Sequence, residues 1–142
     1  MIMDKFKSIF LGLEIAYGQY QPGERGENGK QKGKAFIVRG DVTDSLWSNH
    51  LEGKGPALGI IPITEDNSCR WGCIDIDEYN FDHLSLIQSI RRLNLPLIVC
   101  RSKSGGAHVF LFTKENIPAS LMQSKLKQMA IILGYEGSEI FP

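Results

Sequence analysis

From Arg70 to Phe141 the chain carries strand and helix signals in an order that few folds accept. Arg70 to Asp77 reads as a strand. Asp82 is placed to cap a helix in which Leu84, Ile87, Ile90 and Leu93 recur at helical spacing. Pro96 ends that helix, and Leu97 to Arg101 reads as a second strand. Ser102 to Gly106 is a turn, and Ala107 to Thr113 a third strand. Pro118 opens a second helix with Leu121, Leu126, Met129, Ala130 and Leu133 on its inner side, and Gly134 stops it. Ser138 to Phe141 is a short final strand.

Strand, helix, strand, strand, helix, strand is the split βαβ arrangement of ferredoxin-like and RRM-like folds, βαββαβ. Crossover handedness and the usual strand order, 4-1-3-2, make every neighbour in the sheet antiparallel. The first half is less regular. A short helix over Asp4–Phe10, strands over Glu14–Tyr20 and Ala35–Arg39, a helix capped by Thr43 through Trp47–Leu51 and stopped by Gly53, and a strand over Ala57–Ile63 are expected. Gln21 to Lys34, with four glycines and Pro22, reads as a mobile loop. The expected fold class is therefore α/β (α+β). Residues 1–65 form a small N-terminal α/β module packed on an RRM-like antiparallel sheet at residues 66–142.

Composition excludes several classes. The chain has 142 residues and a 42 % apolar share, which suits one globular unit with a real core. No apolar run approaches the roughly 20 residues a bilayer span needs, and the N-terminus has no cleavable apolar segment, so a cytoplasmic protein without a membrane partner is expected. Sixteen Lys+Arg balance sixteen Asp+Glu, which argues against a generally basic DNA coat but not against a local basic groove. Cys69, Cys73 and Cys100, with His50, His83 and His108, lack the spacing of a zinc site and read as reduced, mostly buried thiols.

Three short stretches carry chemistry. In Gly72-Cys73-Ile74-Asp75-Ile76-Asp77 the two acids share one strand face and the isoleucines the other. The carboxylates then lie about 7 Å apart, and at an effective dielectric of 20 their repulsion is about 2 kcal/mol. A divalent cation between them would remove that cost, and hard oxygen ligands suit Mg²⁺ or Mn²⁺. Arg101-Ser102-Lys103-Ser104-Gly105-Gly106-Ala107-His108 combines hydroxyls, cations and glycines in a turn that can present N–H groups to phosphate. Glu139 stands in the last strand. Each stretch alone is ordinary: solvated acids at a strand end, a tight hairpin, a surface glutamate.

Topology raises their joint weight. In the 4-1-3-2 order the end of strand 1 lies beside the starts of strands 3 and 4, so Asp75, Asp77, His108 and Glu139 are expected at one corner of the open sheet face, next to the turn. Acids beside a phosphate cradle are what metal-dependent nucleotidyl transfer requires.

These residues resemble the archaeo-eukaryotic primase superfamily, and most closely the primase-polymerase domain of TOTE-type conflict systems and of related phage and plasmid primases. Trp71-Gly72-Cys73-Ile74-Asp75-Ile76-Asp77 is similar to its first motif, Arg101 to His108 to its second, and Ser138-Glu139-Ile140-Phe141-Pro142 to its third. The resemblance implies template-dependent synthesis of a primer or DNA strand from NTPs or dNTPs on single-stranded DNA. It implies Asp75, Asp77 and Glu139 as catalytic acids holding two metals, Mg²⁺ or Mn²⁺, and His108 as a nucleotide contact. Ser102, Lys103, Ser104, Gly105 and Arg101 would help grip the phosphates. Relatives usually continue into further elements or a helicase, so a longer parent protein is expected.

Other residues bear on the nucleic acid. Between Ser89 and Lys103 there are four cations and no acid, a local positive stretch that includes Arg91 and Arg92. Lys30, Lys32 and Lys34 are loop cations, Phe110 and Phe112 project from the open face, and Tyr79 follows the acids. For each of these, solvation or packing is the simpler reading. Two rivals use the same fold: an RRM-like nucleic-acid-binding module without catalysis, and another metal-dependent phosphoryl enzyme such as a nuclease.

Overall fold

The computed structural model describes residues 1–27 and 31–142. Lys30, one of the loop cations, lies outside the described residues. Among those described, the chain forms four helices and seven strands, the strands in two antiparallel sheets. It divides into two compact units, Met1–Thr64 and Glu65–Pro142.

The first unit contains helix α1 (Ile2–Ile9), strands β1 (Ala16–Arg25) and β2 (Gln31–Arg39), helix α2 (Asp44–Leu51) and strand β3 (Ala57–Gly59), with sheet order β2-β1-β3. Thr43 caps α2 by accepting from the Leu46 N–H at 3.4 Å. Phe6 of α1 meets the buried Trp47 of α2 edge-on at 6.1 Å.

Two expectations fail here. The stretch read as a mobile loop is largely strand: β1 runs on to Arg25 and β2 starts at Gln31, with Gln21 opposite Lys34 and Pro22 opposite Gly33. Two of its glycines serve close packing. A Cβ on Gly33 would sit 2.0 Å from the Tyr20 ring, and one on Gly23 1.7 Å from the Lys32 carbonyl. The strand expected over Ala57–Ile63 is only three residues long. Beyond Gly59 the backbone turns to other partners, Ile61 accepting from Leu13 N–H at 2.9 Å.

The second unit contains β4 (Ser68–Ile76), α3 (His83–Arg92), β5 (Ile98–Arg101), β6 (Ala107–Pro118), α4 (Ala119–Leu133) and β7 (Glu139–Phe141). Its sheet order, β5-β6-β4-β7, is the expected 4-1-3-2 with every pair antiparallel. Both helices cover one face. There Ile74, Ile76, Val109 and Leu111 from the strands pack with Leu86 and Ile90 of α3 and Met122, Leu126 and Ala130 of α4. Gly72 lets α4 approach the sheet, since a Cβ would meet Leu126 Cδ1 at 2.6 Å and Met122 Cγ at 2.8 Å.

The α3 stripe is displaced from the expected one, whereas on α4 Leu126, Met129, Ala130 and Leu133 pack on the core as expected. Leu84 is 64 % and Leu93 40 % exposed, while Leu86 takes the inner position with Ile90. On α4, Leu121 faces out and Met122 in. Around the helix Leu84 lies about 200° from Leu86 and Leu121 about 100° from Met122, and each belongs to an apolar stripe at helical spacing, so spacing alone does not choose the face that docks. Gly134 ends α4 in the left-handed region, φ +84°.

Candidate active site

β4 alternates as its sequence dictates. Ile74 and Ile76 are 1 % and 2 % exposed on the helix face, so Asp75 must stand on the other face. The ladder sets Asp75 directly opposite His108 of β6 on one side and Glu139 of β7 on the other. His108 is in turn opposite Cys100 of β5. A thiol, an imidazole and two carboxylates therefore form one row across all four strands, with neighbours about 5 Å apart. His108 Nε2 lies 3.5 Å from Asp75 Oδ1.

The turn before β6 is tied to the second acid. Ser104 Oγ donates to Asp77 Oδ1 at 3.4 Å, and the two serine hydroxyls, Ser102 and Ser104, are 3.2 Å apart. A carboxylate only accepts, so Ser104 spends its proton on Asp77 and the buried Ser102 hydroxyl donates to Ser104. Within the turn, Ser102 N–H donates to the Gly106 carbonyl at 3.0 Å and Gly105 N–H to the Ser102 carbonyl at 3.1 Å. Gly105 has φ +93°, and a Cβ on Gly106 would stand 2.1 Å from the Ile76 carbonyl. Glycine at 106 is what lets the turn close on the end of β4. Lys103 is exposed at the tip. Arg101 does not join the row: it is opposite Ala107, one residue out of phase with His108, and starts from the helix side of the sheet edge.

Below the row, a groove of about 360 Å³ is lined by Asp75, Asp77 and Glu139 together with Glu78, Glu136, Tyr135 and Ser138. Glu78, Glu136 and Tyr135 were not expected here. Glu78 had a signal, since it directly follows Asp77. Glu136 is carried in by the turn between Gly134 and Gly137, both in the left-handed region, which only the folded backbone reveals. Burial, and then the charges of Glu78 and Asp82, hold the Tyr135 phenol above its ordinary pKa. Cys73, also on the open face, is 4 % exposed; burial and then the charge of Asp75 push its thiol up to about 12.

Among the described residues, no three His, Cys, Asp or Glu side chains are gathered tightly enough to hold a metal ion as they stand. The donor set itself fits Mg²⁺ or Mn²⁺: hard carboxylate oxygens, two of them in cross-strand register, with Asp77 and Glu139 exposed and able to adjust. Beyond the row, Phe110 contacts His108 edge-on at 6.1 Å and stacks with Phe112 at 5.7 Å, with Trp71 also at 6.1 Å. Tyr79 is 71 % exposed, and Arg91 and Arg92 lie in the last turn of α3. His50 serves the first unit, its Nδ1 accepting from Leu58 N–H at 3.1 Å.

Residues 19–134 match the family described as the TOTE conflict system, archaeo-eukaryotic primase domain. The chain belongs to this family. In this primase domain the match takes in Asp75, Asp77, the turn and His108, and it ends before Glu139 and β7. Family membership gives primase-type nucleotidyl transfer as the general chemistry, with nucleotides and nucleic acid as the class of substrate and a divalent metal as the usual helper. No curated protein matches the chain. No helix among the described residues is long and apolar enough to cross a membrane.

Proposed function

We propose that this primase domain is the catalytic core of a primase-polymerase, its two units acting together to join NTPs or dNTPs into a primer or DNA strand on a single-stranded DNA template. The observation that carries the reading is the register that sets Asp75 between His108 and Glu139, beside a turn bonded to Asp77. Asp75, Asp77 and Glu139 would hold two ions of Mg²⁺ or Mn²⁺, which when bound activate the attacking 3′-hydroxyl and neutralise the triphosphate. His108 would donate from its ring to a phosphate oxygen. Ser102, Ser104 and the backbone around Gly105 shape the cradle, and Lys103 adds a cation at its tip. Ser104 links that cradle to Asp77, so phosphate grip and metal hold are adjusted together. A helicase, as a further domain or a separate protein, suits such a core as partner.

A nucleic-acid-binding module without catalysis has no use for five carboxylates lining one groove at the end of its sheet. The test is binding of a fluorescent nucleoside triphosphate with and without Mn²⁺. Binding that needs Mn²⁺ and is lost in His108→Ala supports the reading. Binding that is indifferent to Mn²⁺, or to His108, contradicts it.

A further inference from the structure

We propose that His83 is a positioning residue for the phosphate turn, setting its shape for nucleotide; this rests on the reading that the turn grips a triphosphate. His83 belongs to none of the three motifs. It is the first residue of α3, on the helix side of the second unit, and its Nε2 lies 2.8 Å from the Gly106 carbonyl oxygen. A carbonyl only accepts, so Nε2 carries the proton and donates. The same carbonyl already accepts from Ser102 N–H at 3.0 Å. Both lone pairs of one oxygen, two residues before His108, are thus engaged: one closes the turn on itself and the other anchors it to α3.

The imidazole is well held. Asp82 caps α3 by accepting from Ser85 N–H at 3.0 Å, which fixes the backbone that carries it. Its ring meets Phe81 edge-on at 4.9 Å, and Phe81 packs at 5.7 Å against Tyr135, which lines the acid groove. Steric closure of Gly106 on Ile76 limits the turn from one direction, and His83 limits it from another. Without the bond, the turn gains freedom, and Ser104 and His108 lose their fixed placement relative to Asp77. Phosphate grip suffers while the path of a template strand does not.

The test compares the chain with His83→Leu, which removes the donor, and His83→Gln, which keeps an N–H at similar reach. Three quantities are read: affinity for a nucleoside triphosphate with Mn²⁺, affinity for a single-stranded oligonucleotide, and amide hydrogen exchange at Ser102 and Gly105. His83→Leu is expected to weaken nucleotide binding about three- to tenfold, the range one lost hydrogen bond allows. Oligonucleotide affinity stays the same, turn exchange is faster, and His83→Gln recovers most of the loss. The proposal is overturned if nucleotide affinity is unchanged in His83→Leu, if both affinities fall together, or if His83→Gln is as poor as His83→Leu. A parent chain that binds no nucleotide overturns the proposed function and with it the nucleotide half of this inference; unchanged exchange at Ser102 overturns the anchoring half independently.

Discussion

On the helix face of the four-stranded sheet, Ile74, Ile76, Val109 and Leu111 are at most 7 % exposed; on the other face of the same strands, the Asp75 and His108 side chains are 29 % and 43 % exposed. One face carries the apolar core and is closed by two helices. The other carries a row of Cys100, His108, Asp75 and Glu139, with a serine-rich turn at its end. The alternation of a strand places these opposite chemistries one residue apart. On the proposed reading the chemistry at this corner belongs to Asp75, His108 and Glu139 on one face while the helix face carries the core, although Trp71 and Cys73 are buried on the open face as well. Substitutions at Asp75 and Leu126 should separate the two roles.

The largest expected effect is on the open face. Asp75→Asn keeps the shape and removes a carboxylate charge. Outer-shell partners of a metal cost about 10–100-fold when lost, so if Asp75 is the ligand proposed above its removal should lower nucleotide incorporation by more than about 100-fold. The unfolding midpoint should stay at the parent value. A matching loss of stability would break the separation.

Next comes the covered face. Leu126→Ala empties a fully buried site and should cost about 2–5 kcal/mol in denaturant unfolding. Incorporation per folded molecule should not change. At Gly106→Ala both faces respond, because its Cβ would strike the Ile76 backbone. A strain of about 1–3 kcal/mol is expected, together with weaker nucleotide binding, since the turn must shift away from β4.

The smallest effect at neutral pH concerns the thiols. A thiol reagent should modify the exposed Cys100 in the native chain and reach Cys69 and Cys73 only on unfolding, as mass spectrometry would read. Cys73 keeps its proton in the folded state up to about 12, against an ordinary value of 9.0. Between those limits the unfolded chain binds fewer protons than the folded one, so stability falls as pH rises. Its contribution is full below about pH 9 and lost towards 12, and Cys73→Ala should make the alkaline decline shallower.

Much of this was legible in the sequence because the second unit follows simple rules. Alternation fixed the faces of β4, turn residues marked Ser102–Gly106, and one topology brought Asp75, His108 and Glu139 to one corner. Reading failed where spacing carries no geometry. Gly23 and Gly33 look like loop residues but admit the Lys32 carbonyl and the Tyr20 ring across a hairpin. Leu84 and Leu86 are equally apolar, and only docking on the sheet chooses between them. The bond from His83 to Gly106 joins residues 23 apart in sequence, and no motif or periodicity announces it. Glu136 enters the groove through two left-handed glycines whose conformation is set only in the fold.

The central claim is that the corner around Asp75 performs nucleotidyl transfer. The most direct measurement is Mn²⁺- or Mg²⁺-dependent incorporation of labelled NTPs or dNTPs on a single-stranded DNA template, by the chain and by its folded Asp75→Asn variant. The parent chain is expected to give metal-dependent, template-dependent product and the variant none. Product of equal yield from both, or no product from either, would contradict the claim.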